Sequence, residues 1–419
     1  MILWIGLDDT DSKKGGCTTY IGALLIRRLK RLGLRLAGFP RLIRLNPNCP
    51  FKTRGNAAIA LKLRGEYSPK VEELVAEVIE EYAELGEEGT EPAAVFLEGE
   101  PPEELKRFYW RAVWEIVPLE DAFKLAERIG AKSLYYKDGR GVVGALAAIG
   151  ADLEAGKTYE LIAHRRRDYW GTIRHIDPRS VFEMDRATRP YTFDNVDYEA
   201  GEIRIAPHTP CPVLLGIRGV DPEVLRRAFR MLRIGEPVEM VTIFETNQGT
   251  DVHLRPARIA QLRDGMSAIV TGKVLEKPRF EVGGHVFFKL GDGTGELTCA
   301  AYEPTKGFRN MVAKLLPGDE VTVYGAVKLK PQGLTLNLEK IHVRRLVEAV
   351  VKRPPRCPRC GRRMESAGAG KGYRCRKCKV RLGPEAVEII KLPREVATGF
   401  YEVPPSARRH LAKPLSLGI

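Results

Sequence analysis

The period of hydrophobic and polar positions changes along the chain, and each change predicts an element. Residues 2–7 (ILWIGL) are continuously apolar, as in a strand buried on both faces. Residues 18–32 (TTYIGALLIRRLKRL) carry apolar positions at helical spacing, with cations late, where the helix dipole favours them. LAGFPRLIRLN and NAAIALKLRG predict strands. SPKVEELVAEVIEEYAEL predicts a helix with Ser68 as N-cap and Pro69 in its first turn, and PAAVFLEG a closing strand. The order is βαββαβ, a ferredoxin-like pattern. It is predicted a second time. KSLYYK reads as a strand, RGVVGALAAIGAD as a helix and TYELIAHR as a strand. After an irregular insertion come the strand PVLLGIRG, the helix DPEVLRRAFRML capped by Asp221, and the strand PVEMVTIFETN. Between the copies, EELKRFYWRAVWEIVPLEDAFKLAERIG predicts two helices bracing the halves. From about residue 266 to 347 the period becomes two, with one short helix, RNMVAKLL, inside a series of strands. Strands with a helix inserted after the third follow OB-fold order.

Length and charge narrow the class. At 419 residues the chain is too long for one core, and at 44% hydrophobic it is too apolar for disorder. No apolar run approaches the roughly 20 residues that span a bilayer. The N-terminus lacks a basic region and meets Asp8 early, unlike a secretion signal. A cytoplasmic monomer with no membrane contact is the expectation. Lys and Arg number 68 against 54 Asp and Glu, a net charge of +14, and that charge is polarised. Residues 72–104 hold thirteen Glu and no Lys or Arg, which reads as a solvated helix face. Residues 352–381 hold twelve Lys or Arg and one Glu. Such a cationic stretch calls for an anionic partner, and nucleic acid is the usual one.

That basic stretch contains the sharpest local motif. Cys357-Pro-Arg-Cys360 and Cys375-Arg-Lys-Cys378 have the spacing of two zinc knuckles, whose four thiolates converge on one Zn²⁺. The site is expected to be structural, folding a segment poor in apolar residues. Cys49 and Cys299 read as small core residues. In the barrel, Phe287, Phe288, Tyr302, Phe308 and Tyr324 are candidate base-stacking residues, with core filling as their other reading. The predicted class is α+β and multidomain: two βαββαβ (ferredoxin-like) units, an OB-fold β-barrel and a zinc ribbon.

Catalysis points to the first sixty residues. The opening strand ends in Asp8-Asp9-Thr10-Asp11, and three carboxylates that close call for a cation, Mg²⁺ being the natural one. Ser12-Lys13-Lys14-Gly15-Gly16-Cys17-Thr18-Thr19 then leads into a helix whose free N–H groups suit phosphate. This describes a nucleoside triphosphate–Mg²⁺ site without a Walker A motif. A solvated acidic turn beside an ordinary helix is the plainer alternative. Lys52-Thr53-Arg54-Gly55-Asn56 opens a later strand and is placed to return to the same edge.

GLDDTDSKKGGCTTYIG, GRGVVGALAAIG, the barrel-plus-ribbon order and the C-terminal GFYEVPPSARRHLAKPL together resemble the archaeal tRNA(Ile2) 2-agmatinylcytidine synthetase family, over essentially the whole chain. The resemblance implies an ATP-dependent C–N ligase. It activates the C2 carbonyl of cytidine 34 in the CAU anticodon of an isoleucine tRNA by phosphorylation and joins agmatine there. It also implies a kinase-like ATP/Mg-binding catalytic domain over 1–128, a ferredoxin-like domain over 129–262, an OB-fold over 263–348, a ribbon over 349–392 and a basic tail over 393–419. Asp8, Asp9 and Asp11 are then assigned to Mg²⁺ and phosphate. Gly15, Gly16, Cys17 and Thr19 would cradle phosphate, and Lys52 and Arg54 would neutralise charge. The family links a threonine of the glycine-rich turn to phosphate transfer, and by position that is Thr18. Agmatine is a dication, and Arg140, Gly141 and Gly144, with Asp152 and Glu160, are expected to line its pocket. The tail is expected to reach the acceptor end of the tRNA. His164 and His175, among arginines, are expected to contact RNA or solvent. The reading from another class is a non-catalytic single-strand-binding protein of OB-fold and zinc-ribbon type, which the last third alone would support.

Overall fold

The structure, a computed structural model, describes residues 1–53 and 55–418. The apolar opening segment forms β1 (Ile2–Asp8), which sends Leu3, Ile5 and Leu7 into one core and Trp4 into another. It leads to α1 (Thr18–Leu29), β2 (Arg41–Arg44), β3 (Ala57–Arg64), α2 (Pro69–Tyr82) and β4 (Ala93–Glu98). The strands lie in the order β4-β1-β3-β2, all antiparallel, which is the ferredoxin-like arrangement. Helices α1 and α2 bury Tyr20, Leu25, Val75 and Ile79 on one face. The two bracing helices are α3 (Glu103–Trp114) and α4 (Leu119–Arg128), and they cover the other face.

The next two elements do not open the second unit. β5 (Lys132–Tyr135) pairs with β4 at the edge of the first sheet, and α5 (Gly141–Ile149) packs between that sheet and α3. This explains a helix with no polar face: every residue from Gly141 to Ile149 is buried. The second ferredoxin-like unit starts later, with β6 (Thr158–Arg165). It continues through α6 (Pro178–Thr188), β7 (Thr192–Phe193), β8 (Val213–Gly219), α7 (Pro222–Met231) and β9 (Val238–Thr246). Its order is β9-β6-β8-β7. The irregular insertion therefore supplies a helix and a strand of the unit. Asp221 caps α7 by accepting from the N–H groups of Glu223 and Val224, as its position predicts.

The halves share one ten-stranded sheet. β2 and β9 pair in parallel through Arg41 with Glu245 and Leu42 with Thr246. The Asn247 side chain extends the seam. It accepts from the Arg44 N–H at 2.8 Å and donates to the Arg44 carbonyl at 2.9 Å.

Beyond the seam, β10 (Ser267–Val274), β11 (Val286–Gly291), β12 (Glu296–Ala301), α8 (Gly307–Val312), β13 (Glu320–Lys330) and β14 (Gly333–Arg345) close an OB barrel. β10 pairs with both β11 and β13, and β12 runs parallel to β14. Phe288 and Phe308 fill its core, while Phe287, Tyr302 and Tyr324 remain partly exposed. A hairpin of residues 349–353 and 388–392 carries the ribbon, whose three short strands span 365–382.

The C-terminal segment is not a free basic tail. β15 (Gly399–Glu402) joins the barrel beside β14. The next residues are clasped between barrel and second unit: Arg408 pairs with Asp194 and Glu402, and Arg409 with Glu339. The His410 carbonyl accepts from the Gly249 N–H and the Lys413 N–H donates to Asp251. Its arginines Arg408 and Arg409 are thus engaged by protein carboxylates, and the segment is built into the fold.

Candidate active site

Strand β1 ends where the chain must turn sharply, and Asp9 sits there at a φ of 58°. The Asp9 N–H donates to Asp8 Oδ1 at 2.7 Å, and Asp9 Oδ2 accepts from the Glu91 N–H at 3.1 Å. Asp8 is pressed against α5: a Cβ on Gly144 would lie 1.8 Å from its Oδ2. Burial, then the Asp9 charge beside it, raises the Asp8 carboxyl well above the usual range. Burial, with Asp11 and Glu91 as like-charged neighbours, pushes Asp9 up to about 7. Asp8 and Asp9 so placed hold their full charge only beside a cation.

The Gly15–Gly16 turn folds the next segment back onto these acids. Gly16 has a φ of 72°, and a Cβ there would lie 2.8 Å from the Thr10 carbonyl. Neither glycine lines the cavity; they shape the turn that delivers the start of α1 to it. Thr18 receives a hydrogen bond from the Thr10 hydroxyl at 3.0 Å. Cys17 Sγ and Thr19 Oγ1 are 2.9 Å apart, and Thr19 Oγ1 is 3.1 Å from His164 Nε2. His164 is therefore neither an RNA contact nor a solvent group. It is wholly buried, and burial pushes its imidazole down to about 3, so it stays neutral beneath the helix start. Arg165 is equally buried and pairs with Glu236 at 2.5 Å. His175 is exposed, as expected.

A cavity of about 410 Å³ opens over these groups, between the two halves. Asp8, Asp9, Asp11, Cys17, Thr18, Thr19, Lys52, Arg140 and Gly144 all line it. Four residues expected at the site fall away from it. Gly141 packs against the backbone of Ala93, Asp8 and Glu91, where a side chain would not fit. Asp152 accepts from the Glu154 N–H in the turn after α5, outside the lining. Gly15 and Gly16 lie behind the wall. Arg54 lies outside the described residues.

The facing wall is basic. Arg44 on β2 is buried 3.9 Å from Glu160, and burial pushes its guanidinium down to about 10. Arg218 on β8 meets the other Glu160 oxygen at 3.5 Å. Glu160 does line the cavity, but two arginines and the Gln248 amide already balance its charge. Burial and the nearby Arg409 and Lys328 lower Lys52. His410 enters from the C-terminal segment; burial and the cations Arg44, Arg218 and Lys52 keep it neutral. One end of the cavity is thus rich in carboxylates and the other in cations.

Arg44 and Arg218 were visible as charges inside apolar strands (RLIRLN, PVLLGIRG). His410 carried no comparable signal, since only the threading of the chain brings it in.

Outside the lining of the cavity, the four ribbon cysteines place one ligand atom each within 4.8 Å of one another. Cys360 Sγ and Cys375 Sγ are 3.7 Å apart, close to the edge of about 3.8 Å expected for a tetrahedron with Zn–S bonds of about 2.3 Å. Among the described residues this is the one such cluster of metal-binding side chains.

Comparison with known proteins gives the following. The family models described as the TiaS TCKD domain and the TiaS FLD domain match residues 4–138 and 139–253. An OB-fold nucleic acid binding domain matches 268–344, and the TiaS C-terminal zinc ribbon domain matches 354–396. The tRNA(Ile2) 2-agmatinylcytidine synthetase TiaS of Methanocaldococcus jannaschii is 47% identical, with 100% of this chain and 99% of that protein covered. The protein of the same name from Pyrococcus horikoshii is 48% identical, with 100% and 97% covered. The crystal structure of a TiaS–tRNA(Ile2)–ATP complex superposes with a TM-score of 0.93 at 44% identity, covering 100% of this chain and 98% of that one. A TiaS–tRNA(Ile2)–AMPCPP–agmatine complex gives 0.89 at 41% identity, with the same coverage.

Proposed function

The chain belongs to the tRNA(Ile2) 2-agmatinylcytidine synthetase family, and on that premise we propose how its own cavity performs an ATP-dependent joining of agmatine to tRNA(Ile2). A passive single-strand-binding protein, the other reading of the barrel and ribbon, falls with family membership.

Cytosine O2 is a poor leaving group, so an amine attacking C2 directly makes little progress. If O2 first takes a phosphoryl group from ATP, the C2–O2 bond can break with phosphate as the leaving group. The primary amine of agmatine attacks C2, loses a proton, and leaves a C2–N bond. The observation that carries this reading is convergence. Three carboxylates, a helix start bearing Thr18, and the cations Lys52, Arg44 and Arg218 line a single cavity.

Each wall then has a task. The first-turn N–H groups of α1 and its dipole stabilise phosphate beside Thr18. Arg44 and Lys52 are placed to offset charge that develops during phosphoryl transfer. Neutral His164 holds Thr19, and through it the start of α1, in place. Asp8, Asp9 and Asp11 line the acidic end without converging into a ready-made ligand set. They would hold Mg²⁺ only together with a bound nucleotide, where it would neutralise phosphate charge; the raised Asp8 and Asp9 carboxyls favour a cation there. Cytidine 34 must leave its stack to reach this cavity, as bases do wherever chemistry is done on them. No helix of the described residues is long and apolar enough to cross a membrane, and a tRNA substrate supports a cytoplasmic activity.

The test is agmatine transfer into tRNA(Ile2) by Asp9→Ala and Thr18→Ala, with tRNA affinity measured alongside. Transfer should collapse while affinity holds. Unchanged transfer in both variants would refute the assignment of this cavity.

A further inference from the structure

Beside the catalytic cavity lies a second one of about 350 Å³. The two are adjacent, sharing Glu115 and Ile116 in their linings. The second is walled on one side by Trp114 at the end of α3 and by Arg255, and on the other by Gly265, Met266 and Ser267, which lead into barrel strand β10. It therefore sits where the nucleic-acid-binding barrel meets the catalytic half.

Its aromatic wall is a stack of planes. The Trp110 and Trp114 rings lie 4.9 Å apart at an interplanar angle of 24°. The Arg255 guanidinium stands 4.5 Å from the Trp114 ring. The indole of Trp114 thus has both the Trp110 ring and the Arg255 guanidinium packed close to it. The Trp114 Nε1–H donates to the Val252 carbonyl at 2.8 Å, which fixes the ring. Arg255 itself is exposed, and among the described residues no carboxylate pairs with it.

We propose that this cavity binds one base of the RNA strand flanking the target cytidine, stacked on the Arg255 plane as the next layer after Trp110 and Trp114. Guanidinium planes and aromatic rings are the surfaces on which proteins stack splayed RNA bases. The lining holds Glu115 and Asp264 as well as Arg255 and Arg263. Glu115 already pairs with Arg111 and Asp264 accepts from the Leu329 N–H, so agmatine, a dication, finds no surplus of negative charge there. A base whose neighbour is turned into the catalytic cavity needs a stacking partner close by, and the shared wall at Glu115 and Ile116 puts one there. The inference rests on the catalytic reading above and adds a subsite to it. The adenine of ATP is the other source of a stacking base, and the test separates the two.

The experiment uses full-length protein with anticodon stem-loop RNA carrying 2-aminopurine beside the target cytidine. Fluorescence, tRNA affinity and the KM for ATP are measured for the wild type, Arg255→Ala and Arg255→Lys. Lysine keeps the charge and loses the plane. Wild-type protein should quench the fluorophore, and both variants should lose the quenching. Their kcat/KM for tRNA should fall about tenfold, the size of one lost base stack, with the KM for ATP unchanged. Quenching by Arg255→Lys equal to wild type would overturn the proposal, since charge alone would then suffice. A raised KM for ATP with quenching intact would also overturn it, assigning the cavity to adenine. If wild-type protein quenches yet forms no agmatinylated product, the catalytic reading fails instead. Arg255 is exposed, so neither variant strains the fold.

Discussion

Replacing Gly144 by alanine is the sharpest perturbation the cavity offers. The new Cβ would lie 1.8 Å from Asp8 Oδ2, where ordinary contact begins at 3.4 Å, so the carboxylate must move by about 1.6 Å. Asp8 lines the cavity, so it can swing into that space and give up the hydrogen bond from the Asp9 N–H. Losing that bond costs about 1 kcal/mol. Alanine in place of glycine inside a helix returns about 1 kcal/mol, so the fold should be close to neutral to the change. Catalysis should not be neutral, because a misplacement of about 1 Å in a reacting constellation costs about a hundredfold. The expected outcome of Gly144→Ala is agmatine transfer lowered about a hundredfold, with the thermal midpoint within a few degrees of wild type and tRNA affinity unchanged. Turnover within about threefold of wild type would refute the claim that the Asp8 position matters to the chemistry.

Two further outcomes follow from the same geometry. Because Asp9 is raised from 3.8 to about 7, the folded chain holds a proton there that the unfolded chain has released, so stability without divalent cations should fall as pH rises through that interval. Asp8, also raised, adds to this slope, while the buried neutral His164 and His410 oppose it below about pH 6.5. The Asp9 part is therefore read as the difference in thermal midpoint between wild type and Asp9→Asn from pH 5 to 8. That difference should turn against the wild type as pH rises and shrink with Mg²⁺; a difference independent of pH would contradict it. Stripping the ribbon with a chelator should unfold residues 357–378, weaken tRNA binding and reduce its salt dependence, while ATP binding persists. Loss of ATP binding in step with the metal would show that the ribbon is not an independent module.

What could be read from the chain depended on how local the signal was. The DDTD turn, the Cys-x-x-Cys pairs and the alternating barrel strands each announce themselves within a dozen residues; the structure places the cysteines and the strands as read and sets the DDTD turn at the edge of the cavity. The helix at Gly141–Ile149 was recognisable as a helix, but its partner was not. An all-apolar helix says only that it is covered on every side, not by what. The strand at 132–135 met the same limit, since a short edge strand pairs with whichever sheet edge is open. The second ferredoxin-like unit was counted correctly and assembled from the wrong first two pieces. His164 was misread because its arginine neighbours suggested an exposed basic patch, whereas Arg165 turns inward to Glu236. His410 depended on contacts made some 350 residues away, with the Lys52 loop, and no local pattern encodes that.

The seam between β2 and β9 limits how this enzyme can move. Hinge-bending apart of the two halves would have to tear a continuous hydrogen-bonded floor and wet the buried side chains of Leu42 and Phe244. Substrates must then come and go over a fixed base, through motions of the overhanging segment around Phe51 and Lys52 and of the barrel that anchors it through Asn48.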